Sequence, residues 1–179
     1  MGKISKKICL IGDFSVGKTS LIRRFVDDQF SDEYLSTVGV KLSRKVVNLK
    51  QGEKEEEKLV ELLIWDIEGQ TQFKSIAPAY LQGAKGAIIV ADVKRQETME
   101  HLRDHLDLFF KINPKGWVII ALNKSDLISE EKVLQLSHSN NQFQADYPQV
   151  IATYATSAKT GKDVNDLFHE LAASMLVAV

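Results

Sequence analysis

A chain of 179 residues with 44% hydrophobic side chains is long enough to bury one α/β core and leaves little room for a second. Its 23 basic and 24 acidic side chains leave a net charge of −1, which argues against broad attraction to nucleic acid or to an anionic membrane. No apolar run approaches the roughly 18–20 residues that span a bilayer. The basic start, Met1 to Lys7, leads into a motif-bearing strand and not into a signal-peptide core. Lys6 stands where a myristoylation signal needs Ser or Thr. Cys9 is the only cysteine, so no intrachain disulfide forms and a reducing, cytoplasmic setting is expected, with the thiol buried and inert.

Residues 6–11 read as a buried strand. Gly12-Asp13-Phe14-Ser15-Val16-Gly17-Lys18-Thr19 follows, a full GxxxxGK[ST] match, and then Leu21, Ile22, Phe25 and Val26 repeat at helical spacing. Such a loop turns its amides toward phosphate oxygens, and the helix start adds its own orphan N–H groups and positive dipole end. The amides from Ser15, Val16 and Gly17 through Lys18, Thr19 and Ser20 are therefore expected to cradle a nucleoside triphosphate. Lys18 is expected to reach the β- and γ-phosphates, and the Thr19 hydroxyl to bind Mg²⁺.

A polar stretch covers 27–37. Strands are predicted at 41–49 and 59–66, close enough to pair as an antiparallel edge hairpin. The charged run Glu53-Lys54-Glu55-Glu56-Glu57-Lys58 between them reads as a solvated tip pointing away from the nucleotide. Helix patterns at 72–81, 96–111, 130–140 and 164–176 alternate with strands at 86–92, 117–123 and 150–156. The alternation predicts an α/β fold: a six-stranded, mostly parallel sheet with one antiparallel edge hairpin and helices on both faces, a single domain over 1–179.

In such a sheet ligands collect at the carboxyl ends of the strands, and two further motifs fall there. Asp66-Ile67-Glu68-Gly69-Gln70 ends the strand at 59–66. Asp66 is suited to holding Mg²⁺, the Gly69 N–H to the γ-phosphate, and Gln70 to the attacking water. Asn123-Lys124-Ser125-Asp126 ends the strand at 117–123. A carboxylate at Asp126 accepts two hydrogen bonds from the N1–H and N2–H₂ of guanine, and adenine has no matching donor pair. Ser157-Ala158-Lys159, after the last strand, supplies a backbone N–H for guanine O6.

Taken together, GDFSVGKT, Thr37, WDIEGQ, NKSD and SAK resemble the Ras-superfamily small GTPases over essentially the whole chain. The tracts Thr37-Val38-Gly39-Val40 and Tyr80 to Asp92 look like the Rab branch. The resemblance implies that Thr37 binds Mg²⁺ and senses the γ-phosphate, that Phe30 packs against the guanine, that Tyr34 covers the phosphates and that Lys124 lies along base and ribose. It also implies a monomeric GTP/GDP switch that meets effectors, exchange factors and GTPase-activating proteins and has no nucleic-acid partner.

Four features depart from that pattern. Phe14 replaces a small residue over the γ-phosphate, which predicts slow hydrolysis. Glu68 replaces alanine, and a carboxylate there is expected to repel the γ-phosphate and favour GDP, unless it turns outward or engages Mg²⁺. The 50–58 connection is long and charged. The sequence closes on Leu176-Val177-Ala178-Val179 with no cysteine for prenylation, so a direct lipid anchor in this chain is not expected. Phe14 and Glu68 also leave open a nucleotide-binding scaffold with negligible hydrolysis. A P-loop kinase, the other rival, has no use for Asn123 to Asp126.

Overall fold

The computed structural model describes residues 2–33, 36–51, 56–71, 75–140 and 142–177. Six strands are present: β1 (Ile4–Gly12), β2 (Val40–Gln51), β3 (Glu56–Ile67), β4 (Gly86–Asp92), β5 (Trp117–Asn123) and β6 (Val150–Ala155). The helices are α1 (Lys18–Asp27), α2 (Gln96–Glu100), α3 (Leu102–Ile112), α4 (Glu130–Asn140), α5 (Gln142–Asp146) and α6 (Val164–Ser174). The strands form one sheet in the order β2-β3-β1-β4-β5-β6, with β2 antiparallel to β3 and the other neighbours parallel. This is the architecture expected from the alternating pattern.

β1 lies between β3 and β4, so the chain crosses to opposite sides of it. The crevice beyond the carboxyl end of such a strand is where an open α/β sheet holds its ligand. Gly12, the last residue of β1, opens the glycine loop there.

β4 is buried along its whole length and β5 almost so, as their continuous apolar runs require for parallel strands covered on both faces. On one face Leu21, Ile22 and Phe25 of α1 pack with Leu167, Phe168 and Leu171 of α6 over Ile8, Leu10 and Ile64. The Phe25 and Phe168 rings stack at 4.0 Å and 5° between planes, fixing α1, and hence Lys18 and Thr19, on the sheet. On the other face Leu102, Leu106 and Phe109 of α3 cover Cys9, Ile89 and Ile120.

Two helix expectations need correction. The helix expected over 72–81 is a short 3₁₀ turn, Pro78–Leu81, preceded by extended Ala77. The proline ring disfavours helical backbone at the residue before it; residues 72–74 lie outside the described set. The helix expected over 96–111 is α2 and α3 joined at His101, where ψ is −5°. Helical hydrogen bonds still cross the step, from His101 N–H to Glu97 and from His105 N–H to His101. The tip residues 52–55 of the β2–β3 hairpin, and so the reading of that charged run, also lie outside the described set.

Candidate functional site

A cavity of about 290 Å³ opens at the carboxyl ends of β1 and β5, lined by Phe14 to Thr19 (Val16 apart), Phe30, Thr37, Gly69, Asn123, Lys124, Asp126, Ala158 and Lys159 among others. Its phosphate end is the glycine loop. Gly17 has φ +102°, and a Cβ there would lie 2.3 Å from Asn123 Nδ2, so both its conformation and its neighbour demand glycine. Ser15 is likewise left-handed, at φ 64°. Alternation of this kind aims successive amides into one hollow. Lys18 is buried and its ammonium donates to the carbonyls of Gly12 and Asp13 at 3.0 and 2.9 Å. Burial pushes the Lys18 ammonium down to about 8, against the opposing pull of Asp66 and Asp13. Val16 is fully buried and does not line the cavity, while Ser20 lies at the cavity wall.

Three oxygen-bearing side chains from different elements meet beside Lys18. Thr19 Oγ1, on α1, donates to Asp66 Oδ2, on β3, at 2.6 Å and lies 2.8 Å from Thr37 Oγ1. Asp66 is buried, and its other oxygen, Oδ1, has no hydrogen-bond partner among the described residues. Burial raises its pKa, opposed by the Thr19 hydrogen bond and by Lys18. Two hydroxyls and a carboxylate with an orphaned buried oxygen are a hard, oxygen-only donor set, which suits Mg²⁺.

Gly69 and Gln70 close on the glycine loop through the backbone. Phe14 N–H donates to the Gln70 carbonyl at 2.9 Å, and Gln70 N–H donates to the Gly12 carbonyl at 3.2 Å. A Cβ on Gly69 would come within 2.6 Å of Phe14 Cα, so only glycine allows this approach. The Phe14 ring is 39% exposed at the cavity mouth. Glu68 engages the backbone of Gly39. Its carboxylate accepts from Gly39 N–H at 3.2 Å, while its own N–H donates to the Gly39 carbonyl at 2.8 Å. The side chain thus extends the β2–β3 pairing by one link, because strand register brings Gly39 opposite it.

At the other end Asn123 joins the halves of the site. Its Nδ2 donates to the Val16 carbonyl at 3.0 Å, and its Oδ1 accepts from Thr156 Oγ1 at 3.2 Å and from Ala158 N–H at 3.3 Å. Lys124 is left-handed, at φ 65°, and its ammonium donates to the Ser15 carbonyl at 2.9 Å and pairs with Asp92 at 2.8 Å. Asp126 Oδ1 accepts from buried Ser157 Oγ at 2.7 Å, which anchors the carboxyl at the cavity wall. Phe30 is half-buried, packed on the core and lining the cavity, so it is core aromatic and cavity wall together. Tyr34 lies outside the described residues.

Sequence reasoning missed a cluster behind the loop. Buried Asp13 bonds His101 and His105, and Arg95 Nη2 donates to the Phe14 carbonyl at 2.6 Å. The four-residue spacing of the two histidines was the available signal, since it places both on one helical face.

A glycine loop with left-handed turns, an oxygen-only donor set and the anchored Asp126 carboxyl thus share one cavity. The Ras family model matches residues 7–177, and the chain belongs to that family. GTP-binding protein ypt5 of Schizosaccharomyces pombe is 35% identical over 96% of this chain and 78% of its own length. Human Ras-related protein Rab-22A is 35% identical over 92% of this chain and 80% of its own. Ras-related protein Rab-13 of Mesocricetus auratus is 34% identical over 96% and 80%. The chain is a Rab-like small GTPase, a nucleotide-controlled switch, and the scaffold without hydrolysis is the less favoured reading. Among the described residues no helix is long and apolar enough to cross a membrane.

Proposed function

We propose that this chain binds GTP and GDP with Mg²⁺ in the cavity described above and hydrolyses GTP slowly. The observation that carries the reading is the meeting of Thr19, Thr37 and Asp66, with Asp66 Oδ1 left without a partner. Those side chains would hold Mg²⁺, which when bound neutralises charge on the phosphate oxygens. Amides from Ser15 to Ser20 and the Lys18 ammonium hold the phosphates, and loss of Lys18's burial penalty against a polyanion keeps it charged. Asp126, with the Ala158 N–H and Lys159 nearby, reads guanine, while Phe30 and Lys124 flank it. Gln70 orients the attacking water and Gly69 N–H senses the γ-phosphate.

Removal of the γ-phosphate would release Thr37 and Gly69 and so change the surface offered to partners. Effectors, exchange factors and GTPase-activating proteins are the partner classes that this cycle requires, and membrane traffic is the setting that the Rab-named relatives suggest. Membrane association would then come through such partners or through a tail beyond this sequence.

The test is the nucleotide carried through purification, identified by mass, together with single-turnover phosphate release. Guanine nucleotide and measurable hydrolysis are expected. Adenine nucleotide, or Asp126→Asn without a shift of preference toward xanthine, would overturn the assignment.

A further inference from the structure

Behind the first turn of the phosphate loop lies a polar cluster whose side chains stand outside the nucleotide cavity's lining and which meets the binding set through the Asp13 backbone. Asp13 is buried, and each of its carboxylate oxygens is shared with one imidazole. Oδ2 lies 2.6 Å from His101 Nδ1, and Oδ1 lies 2.8 Å from His105 Nε2. The His105 side chain is sealed at 1% exposure, whereas that of His101 is 43% exposed and exchanges protons with solvent.

An ionised carboxylate only accepts hydrogen bonds, so both rings must present an N–H to it. With two neutral imidazoles the cluster carries a charge of −1 behind a loop built to hold polyphosphate. With a proton added to His101 it is neutral. Burial opposes the charge on Asp13, but the hydrogen bonds from His105 and His101 outweigh it and hold the carboxyl below its usual range. The Asp13 hydrogen bond holds the His101 imidazole above its ordinary 6.5, against partial burial and with help from Asp104 and Glu100. On the loop side, the Asp13 carbonyl accepts from Lys18 Nζ and the Phe14 carbonyl from Arg95, with Asp66 beyond Lys18.

We propose that His101, Asp13 and His105 form a proton-loaded strut for the phosphate loop, binding nucleotide more tightly when His101 is protonated. The inference rests on the reading of this loop as the guanine-nucleotide site. The three are positioning residues, acting through the loop backbone that Asp13 and Phe14 contribute. Phosphates in the loop favour the protonated imidazole, so nucleotide binding takes up a proton. By reciprocity, affinity falls as pH rises through the folded pKa of His101, above 6.5. One unit of nucleotide-induced shift is tenfold in affinity; half a unit, about threefold, is expected for a half-exposed ring screened by solvent.

The test is the affinity of the full chain for a fluorescent GDP analogue at saturating Mg²⁺, from pH 6 to pH 8.5. It compares wild type with His101→Asn and His105→Gln, whose amides keep a donor near Nδ1 and Nε2 respectively and do not titrate. The titration of the nucleotide itself cancels in the ratio to His101→Asn. Wild type should bind about threefold tighter than His101→Asn near pH 6 and equally at pH 8.5, and His105→Gln should keep the wild-type slope. In parallel, NMR of the wild-type imidazoles should show GDP raising the His101 midpoint by about half a unit. A wild-type to His101→Asn ratio independent of pH, or a His101 midpoint unmoved by GDP, overturns the strut while leaving the nucleotide site standing. Failure of wild type to bind GDP at any pH overturns both.

Discussion

Glu68→Ala separates two opposed accounts of the same residue. Proximity in sequence to Gly69 suggests that the carboxylate repels the γ-phosphate, so its removal should favour GTP. The structure points the other way. Glu68 accepts the Gly39 N–H at 3.2 Å, and Gly39 is two residues from Thr37, whose hydroxyl lies 2.8 Å from that of Thr19. The link holds the segment leading into β2 where Thr37 meets the Thr19 hydroxyl. A charge-assisted hydrogen bond in a half-buried setting contributes about 1–2 kcal/mol, toward the low end because 3.2 Å is long for such a pair. The main-chain bond from Glu68 N–H to the Gly39 carbonyl survives the substitution, so the strand end frays and does not detach. On the proposed reading only the triphosphate-bound form would draw on an ordered Thr37, so the loss would fall on GTP. The GTP-to-GDP affinity ratio should drop by about 5- to 30-fold in Glu68→Ala. In Glu68→Gln, which keeps an acceptor oxygen, it should change little. Competition against a fluorescent GDP analogue at fixed Mg²⁺ measures the ratio. An unchanged ratio would refute the link, and a rise in GTP preference would restore the repulsion account.

Phe14→Gly should hydrolyse GTP faster than wild type in single turnover, most of all with an activating protein, since an arginine finger in this class contributes about 10³–10⁵-fold and needs open space over the γ-phosphate. Equal rates would show that the ring, 39% exposed at the cavity mouth, is harmless. Gly17→Ala forces a Cβ to 2.3 Å from Asn123 Nδ2 at φ +102°, and should lose about 3 kcal/mol of stability, roughly 10 °C in Tm, together with nucleotide affinity. A melting curve that superimposes on wild type would refute it. Cys9 is fully buried and burial pushes its thiol up to about 12, so alkylation at pH 8 should be negligible until denaturant unfolds the chain.

Much of the architecture was readable because it rests on local signals. β4 and β5 emerged at their full bounds, since a buried parallel strand is one unbroken apolar run between loops. The glycine loop, Asp66 and Asn123 were placed by motifs whose spacing is dictated by the ligand. What failed was local pattern set against backbone chemistry or distance. The apolar rhythm of 72–81 concealed the effect of Pro78 on Ala77. The contact of Glu68 with Gly39 was not legible, because Gly39 is reached only across strands, through a register that no single segment contains. The same holds for Asp13, whose histidines lie 88 and 92 positions away.

The side chain of Asn123 ties Val16, in the glycine loop, to Thr156 and Ala158, on the Asp126 side of the cavity. On the proposed reading, phosphate grip and base choice would therefore share one mechanical element and would not be independent dials. A substitution selected to admit a different base should also change how long the phosphates are held, and one that loosens the loop should blur discrimination between bases. In an exchange cycle, a partner that pries at either end of the cavity would loosen the other as well.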